Sequence, residues 1–122
     1  MAIVRVDFSH GQPDHFPSTI SMTINSVMTE VLGVPPQENY IICQSHDVKN
    51  LFHSSENFSR DRLQKIAFIQ ITLNQGRSAE LKTKFFAELN KKIINTGLLE
   101  KENIFINLVE VARENWSFGS FK

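Results

Sequence analysis

Arg77 follows Gly76 where an apolar run, Ile66 to Leu73, gives way to a helical pattern. A guanidinium at such a junction offers paired N–H donors to a carboxylate, and the helix start adds backbone N–H groups and a positive dipole end. The same spacing also suits an exposed arginine on a strand-to-helix turn, and both readings stand at this point. Cys43, the one cysteine, lies in the apolar run Ile41-Ile42-Cys43 and reads as a small buried hydrophobe. A single cysteine permits no disulfide within the chain. His10, His15, His46 and His53 lack metal-ligand helix spacing with a partnering cysteine or carboxylate cluster, so no metal is expected. His46-Asp47 reads as a solvated pair before it reads as a pocket lining. No G-x-S-x-G, phosphate loop or dinucleotide fingerprint occurs.

The elements that must position Arg77 belong to a chain of 122 residues, expected to form one domain over 1–122. Thirteen basic residues balance thirteen acidic ones, which disfavours nucleic acid as a partner because phosphate contacts demand basic charge. No apolar stretch approaches the roughly 20 residues of a membrane helix, and the start shows no basic-then-apolar signal pattern. The expectation is a soluble, cytoplasmic protein with no membrane partner.

An internal repeat organises the chain. The run Gly33 to Ile42 lies over Gly97 to Ile106: both begin glycine-aliphatic, reach Glu-Asn at the same offset (Glu38-Asn39 and Glu102-Asn103) and enter a strand-like stretch. Upstream of each copy, an apolar or alternating run ends near a glycine, Ile3 to Phe8 before Gly11 and Ile66 to Leu73 before Gly76. Ile20, Ile24, Val27, Met28, Val31 and Leu32 make one helical stripe, with Pro17 near its start and Gly33 as its left-handed stop. Leu81, Phe85, Leu89 and Ile93 make the second stripe, widened by Phe86 and Ile94. Ser78 is placed to cap that helix, Glu80 suits its first turn, Lys91 and Lys92 its last, and Gly97 ends it.

Each unit, about 2–46 and 66–111, therefore reads strand, helix, strand, with a parallel pair and a right-handed crossover. The fold class is α/β (α+β): tandem β-α-β units forming a four-stranded mixed sheet with both helices on one face. The other face carries alternate strand residues, among them Ile3 or Val4, Ile69 or Ile71, and Ile104 or Ile106. It needs cover, and self-association is the simplest remedy. Residues 48–65 are polar and read as a long loop or small hairpin insert, and 112–122 form a tail containing Asn115-Trp116-Ser117-Phe118-Gly119.

The stretch Phe105 to Gly119 resembles the C-terminal signature of the malonate semialdehyde decarboxylase-like subgroup of the tautomerase superfamily. Ile69 to Ser78 resembles that group's strand-to-helix motif, and Leu32-Gly33-Val34-Pro35 and Val4-Arg5-Val6-Asp7 fit as well. The resemblance covers nearly the whole chain and is weakest from about Val48 to Arg62. It implies a homotrimer of tandem β-α-β subunits whose sheets enclose a barrel. It implies a pocket at the buried start of the first strand, where an N-terminal proline acts as general acid or base. Arginines near the second helix would hold the carboxylate of a small keto or enol acid, the expected ligand, in a cofactor-independent tautomerase or decarboxylase-like lyase. Arg77 matches one of these arginines, and Gln75 stands where decarboxylase relatives have another, which puts decarboxylation in doubt. Glu38 matches an acidic residue thought to assist that reaction, although the recurrence of Glu-Asn at Glu102-Asn103 favours a strand-entry role. Trp116 and Phe118 resemble the aromatic pocket wall.

The departure lies at the start, Met1-Ala2-Ile3, which puts Ala2 at the position of the family's proline. With Met1 removed, Ala2 carries a primary amine of reference pKa about 7.7–8.0, which burial and a nearby arginine would lower. Such an amine can act as a base or form an imine. With Met1 retained, Ala2 is an amide and cannot act as a base. The alternative to an enzyme is therefore a catalytically weak or inactive trimer that binds small acids or serves as an interaction module.

Overall fold

Strict alternation in the first strand sets the architecture. In the computed structural model, which describes residues 1–54 and 60–119, Ala2–Ser9 forms β1, with Ala2, Val4, Val6 and Phe8 buried. Phe16–Leu32 forms α1, Asn39–His46 β2, Arg60–Leu63 the short α2, Ala67–Asn74 β3, Ala79–Asn95 α3 and Ile104–Val111 β4. The strand order is β2-β1-β3-β4. Each β-α-β unit contributes a parallel pair, β1 with β2 and β3 with β4, and the units meet through the antiparallel pair β1–β3.

Both long helices cover one face. Ile20, Ile24, Val27, Met28 and Leu32 of α1 and Phe85, Leu89 and Ile93 of α3 share one core with the inward residues of β1 and β3. Ser78 caps α3 by accepting from the Leu81 backbone N–H at 3.1 Å. Gly33 ends α1 at φ +72°, a left-handed conformation that glycine adopts without a Cβ penalty. Ile94 departs from the expected stripe. It follows the fully buried Ile93 by one position, a rotation of about 100°, and is exposed.

The sheet's other face is open. Its rows are Tyr40, Ile3, Thr72 and Val109; then Ile42, Arg5, Gln70 and Asn107; then Gln44, Asp7, Phe68 and Phe105. Ile3, Tyr40, Ile42, Phe68 and Phe105 are exposed there, with Phe68 and Phe105 stacked at 5.4 Å between centroids. The expectation that Ile69 or Ile71, and Ile104 or Ile106, would supply this face is corrected. Each pair is two residues apart and so shares a face, and both pairs pack inward. The run Ile41-Ile42-Cys43 also divides by parity. On the edge strand β2, Ile41 and Cys43 pack half-buried toward the helices and Ile42 is exposed. The described part of the insert holds two single helical turns, Val48–Asn50 and Arg60–Leu63; residues 55–59 of the insert and 120–122 of the tail lie outside the described residues. Among the described residues no helix is long and apolar enough to cross a membrane.

Between the apolar patches of the open face lies a polar cluster. Arg5 Nη2 donates to Asp7 Oδ1 at 2.8 Å and to Gln44 Oε1 at 3.0 Å, and His46 Nε2 lies 2.7 Å from the same Asp7 oxygen. Partial burial pushes the Asp7 carboxyl up, but hydrogen bonds and charge attraction from His46 and Arg5 outweigh it and hold the group below its ordinary 3.8. A carboxyl whose folded value is depressed contributes stability above its unfolded value and loses that contribution as pH falls through the folded value. Asp7→Asn is therefore expected to lower the urea midpoint at pH 7 and to bring it close to wild type at a pH acid enough to protonate Asp7 in the fold, below its ordinary 3.8, where both proteins carry a neutral group at position 7. Equal differences at both pH values would contradict this.

Candidate functional site

The antiparallel β1–β3 pairing brings the start of β1 beside the end of β3. Ala2 lies between Asn39 of β2 and Leu73 of β3, so the turn after α1, the turn after β3 and the N-terminus converge on one end of the sheet. Ala2 is fully buried, with its nitrogen in a peptide bond to Met1. The Met1 ammonium stands 3.4 Å from Glu38 Oε2, and this pair is largely solvent-facing. Glu38 ends a 3-10 turn, Pro36–Glu38, and Asn39 behind it donates from Nδ2 to Asn25 Oδ1 at 2.6 Å, tying β2's start to α1.

Arg77 has a structural task. Its Nε and Nη2 donate to the Leu32 carbonyl at 3.3 and 3.1 Å, and its Nη1 donates to the Asn74 carbonyl at 3.1 Å. Leu32 is the last residue of α1, and its carbonyl has no intrahelical partner. A cation at that point also suits the negative end of the helix dipole. A guanidinium has five N–H groups, so one remains on each of Nη1 and Nη2. Gln75 is exposed and contributes its backbone N–H to the Val111 carbonyl at 2.9 Å.

The tail returns to this end. After the turn Arg113–Asn115, Trp116 is half-buried and donates its indole N–H to Asn74 Oδ1 at 2.5 Å. Phe118 stacks on it at 5.9 Å with an interplanar angle of 15°. Arg77 and Trp116 thus meet through Asn74, which sequence reasoning did not single out because an asparagine closing a strand reads as turn chemistry. His46 does not join them. It pairs with Asp7 on the open face, while Asp47 caps the Val48–Asn50 turn by accepting from Lys49 N at 3.0 Å.

This end is an open shelf, with Glu38 and Gln75 exposed and Arg77 and Trp116 half-buried. Two surface cavities of about 590 and 750 Å³ lie elsewhere, and neither is lined by Ala2, Glu38, Gln75, Arg77, Trp116 or Phe118. What the shelf offers is an amine beside a carboxylate, a guanidinium with two spare donors and a stacked aromatic pair.

A family model described as a tautomerase enzyme matches residues 38–119. The chain is 25% identical to the probable tautomerase YusQ of Bacillus subtilis over 98% of this chain and 94% of that protein. It is 22% identical to the probable tautomerase YrdN of the same organism, over 98% of this chain and 92% of the relative. Among solved structures, FG41 malonate semialdehyde decarboxylase inhibited by 3-bromopropiolate superposes with a TM-score of 0.85 at 22% identity, over 98% and 91% of the two chains. A symmetric trimer of fused 4-OT superposes with a TM-score of 0.81 at 14% identity, over 97% and 92%.

Removing Arg77 strips three donors from two carbonyls. Arg77→Ala is expected to cost about 1–3 kcal/mol of stability, read as a lower urea midpoint with an unchanged slope. A midpoint equal to wild type would show that water replaces these bonds without loss.

Proposed function

Since the chain belongs to the tautomerase family, we propose that it is a cofactor-independent keto–enol tautomerase acting on a small 2-oxo acid or its enol. The observation that carries this reading is the convergence of the N-terminus, Glu38 and Arg77 at the start of β1. Removal of Met1 would leave a primary amine on Ala2 at the buried start of a central strand. Burial lowers an amine's pKa and a carboxylate beside it raises it; Glu38, which pairs with the Met1 ammonium at 3.4 Å, would be the carboxylate that returns the proton to the Ala2 amine. In ketonisation the ammonium delivers a proton to the enol carbon, and the enol O–H proton passes to Glu38. The two spare N–H groups of Arg77 hold the carboxylate, and Trp116 and Phe118 limit water. Gln75 offers a neutral amide instead of a second cation, which weakens the case for decarboxylation.

The working unit is proposed to be a homotrimer. Five exposed large apolar side chains on the open sheet face need cover in water, and the similar fused 4-OT protein is a symmetric trimer. A neighbouring copy would also turn the shelf into an enclosed pocket. The second reading, a trimer that binds small acids without turnover, is favoured by one observation: three of Arg77's donors are already committed to backbone carbonyls.

Ketonisation of phenylenolpyruvate by wild type and Arg77→Lys is the test. Wild type is expected to turn over, and Arg77→Lys to raise KM about tenfold, because an ammonium is a point charge where a fork is needed. Light scattering is expected to give a trimer for both. Calorimetric binding of phenylpyruvate without turnover would support the second reading, and neither binding nor turnover would end both.

A further inference from the structure

Asn74 is the last residue of β3 and joins the two halves of the proposed site. Its side-chain oxygen receives the Trp116 indole N–H at 2.5 Å, and its backbone carbonyl receives Arg77 Nη1 at 3.1 Å. The indole is a donor only, so the oxygen of this carboxamide must be the atom that faces Trp116. Two backbone bonds shape the tail within its own turn, Asn115 N to the Ala112 carbonyl at 2.9 Å and Trp116 N to the Arg113 carbonyl at 3.4 Å. Such a turn fixes shape but not where the aromatic pair sits against the sheet. The bond to Asn74 ties the indole to the end of β3.

The internal repeat gives the position independent weight. Ser9 closes β1 as Asn74 closes β3. Its hydroxyl accepts from Ile66 N at 3.0 Å and donates to the Leu63 carbonyl, fixing the run that leads into β3. In both units, then, the residue closing the first strand ties down a segment distant in sequence. In the first unit the tie is internal and buried. In the second it is spent on a half-buried tryptophan and its stacking partner, at the end of the sheet where Ala2, Glu38 and Arg77 gather.

We propose that Asn74 is the positioning residue of the site. Its side chain holds the Trp116–Phe118 wall beside the Arg77 guanidinium, which the backbone carbonyl of the same residue anchors, and so sets affinity for the carboxylic acid without itself transferring a proton. The proposal rests on the reading of this end as a small-acid site. Trp116 is the only tryptophan in the chain, so fluorescence excited at wavelengths where Tyr40 does not absorb reports its surroundings alone.

The experiment compares Asn74→Leu and Asn74→Asp with wild type by acrylamide quenching of Trp116, calorimetric Kd for phenylpyruvate, and kcat. Asn74→Leu is expected to raise the quenching constant about twofold and weaken binding about tenfold, the loss of one half-buried hydrogen bond, with kcat within about twofold. Asn74→Asp keeps an acceptor and is expected to restore wild-type quenching. Wild-type quenching in Asn74→Leu would overturn the tie to Trp116. Altered quenching with unchanged Kd would overturn the positioning role, and so would a loss confined to kcat. Because binding and fluorescence are read without turnover, a silent wild-type enzyme would count against the proposed reaction, while quenching and Kd would still decide the role of Asn74.

Discussion

The antiparallel pairing of β1 with β3 is the constraint on which the rest of the molecule depends. Each β-α-β unit alone would expose both edges of a two-stranded parallel pair. Joining the units through their first strands buries those strands at the centre of the sheet and leaves β2 and β4 as its edges. The same pairing sets Ala2 against Leu73. It thereby delivers the N-terminus, the turn after α1 and the turn after β3 to a single end. Arg77, Asn74 and Leu32 then form a junction between the two units in which one guanidinium satisfies carbonyls from both. The packing contact between α1 and α3 above the sheet is the hydrophobic counterpart of that polar junction.

The two sheet faces solve opposite problems. The helix-covered face is a continuous core from Phe8 and Phe16 to Leu89 and Ile93. The open face mixes exposed apolar side chains with the Arg5–Asp7–His46 cluster, in which Arg5 and His46 each approach the same Asp7 oxygen, at 2.8 and 2.7 Å. Burying such a cluster between copies would carry a desolvation cost, which the partners already in place offset in part, whereas an unpaired charge there would oppose assembly outright. Apolar patches beside a polar cluster at one edge give this face a distinct pattern that a partner surface would have to match.

Much of the fold was legible in the sequence because the helix stripes and the Gly33 and Gly97 repeats are direct images of burial and chain reversal. What periodicity could not supply was strand parity. Ile69 and Ile71, two residues apart, necessarily share a face, and the register against Val6 and Val4 shows that face to be the inner one. At the site, Arg77 was legible as a strand-to-helix arginine, but its grip on the Leu32 carbonyl was not. That bond joins residues 45 apart, and nothing local announces it. Asn74 escaped for the same reason, since its partner Trp116 lies 42 residues on.

The central claim is that the start of β1 carries the chemistry through the amine of Ala2. The most direct test is intact mass of the purified protein combined with phenylenolpyruvate ketonisation by wild type and Ala2→Pro. The account predicts that wild type has lost Met1 and turns over, its primary amine serving as the proton shuttle. A wild-type protein that lacks Met1 yet is silent, beside an active Ala2→Pro variant, would contradict it, because the shelf would then be competent only with an amine the natural chain does not supply.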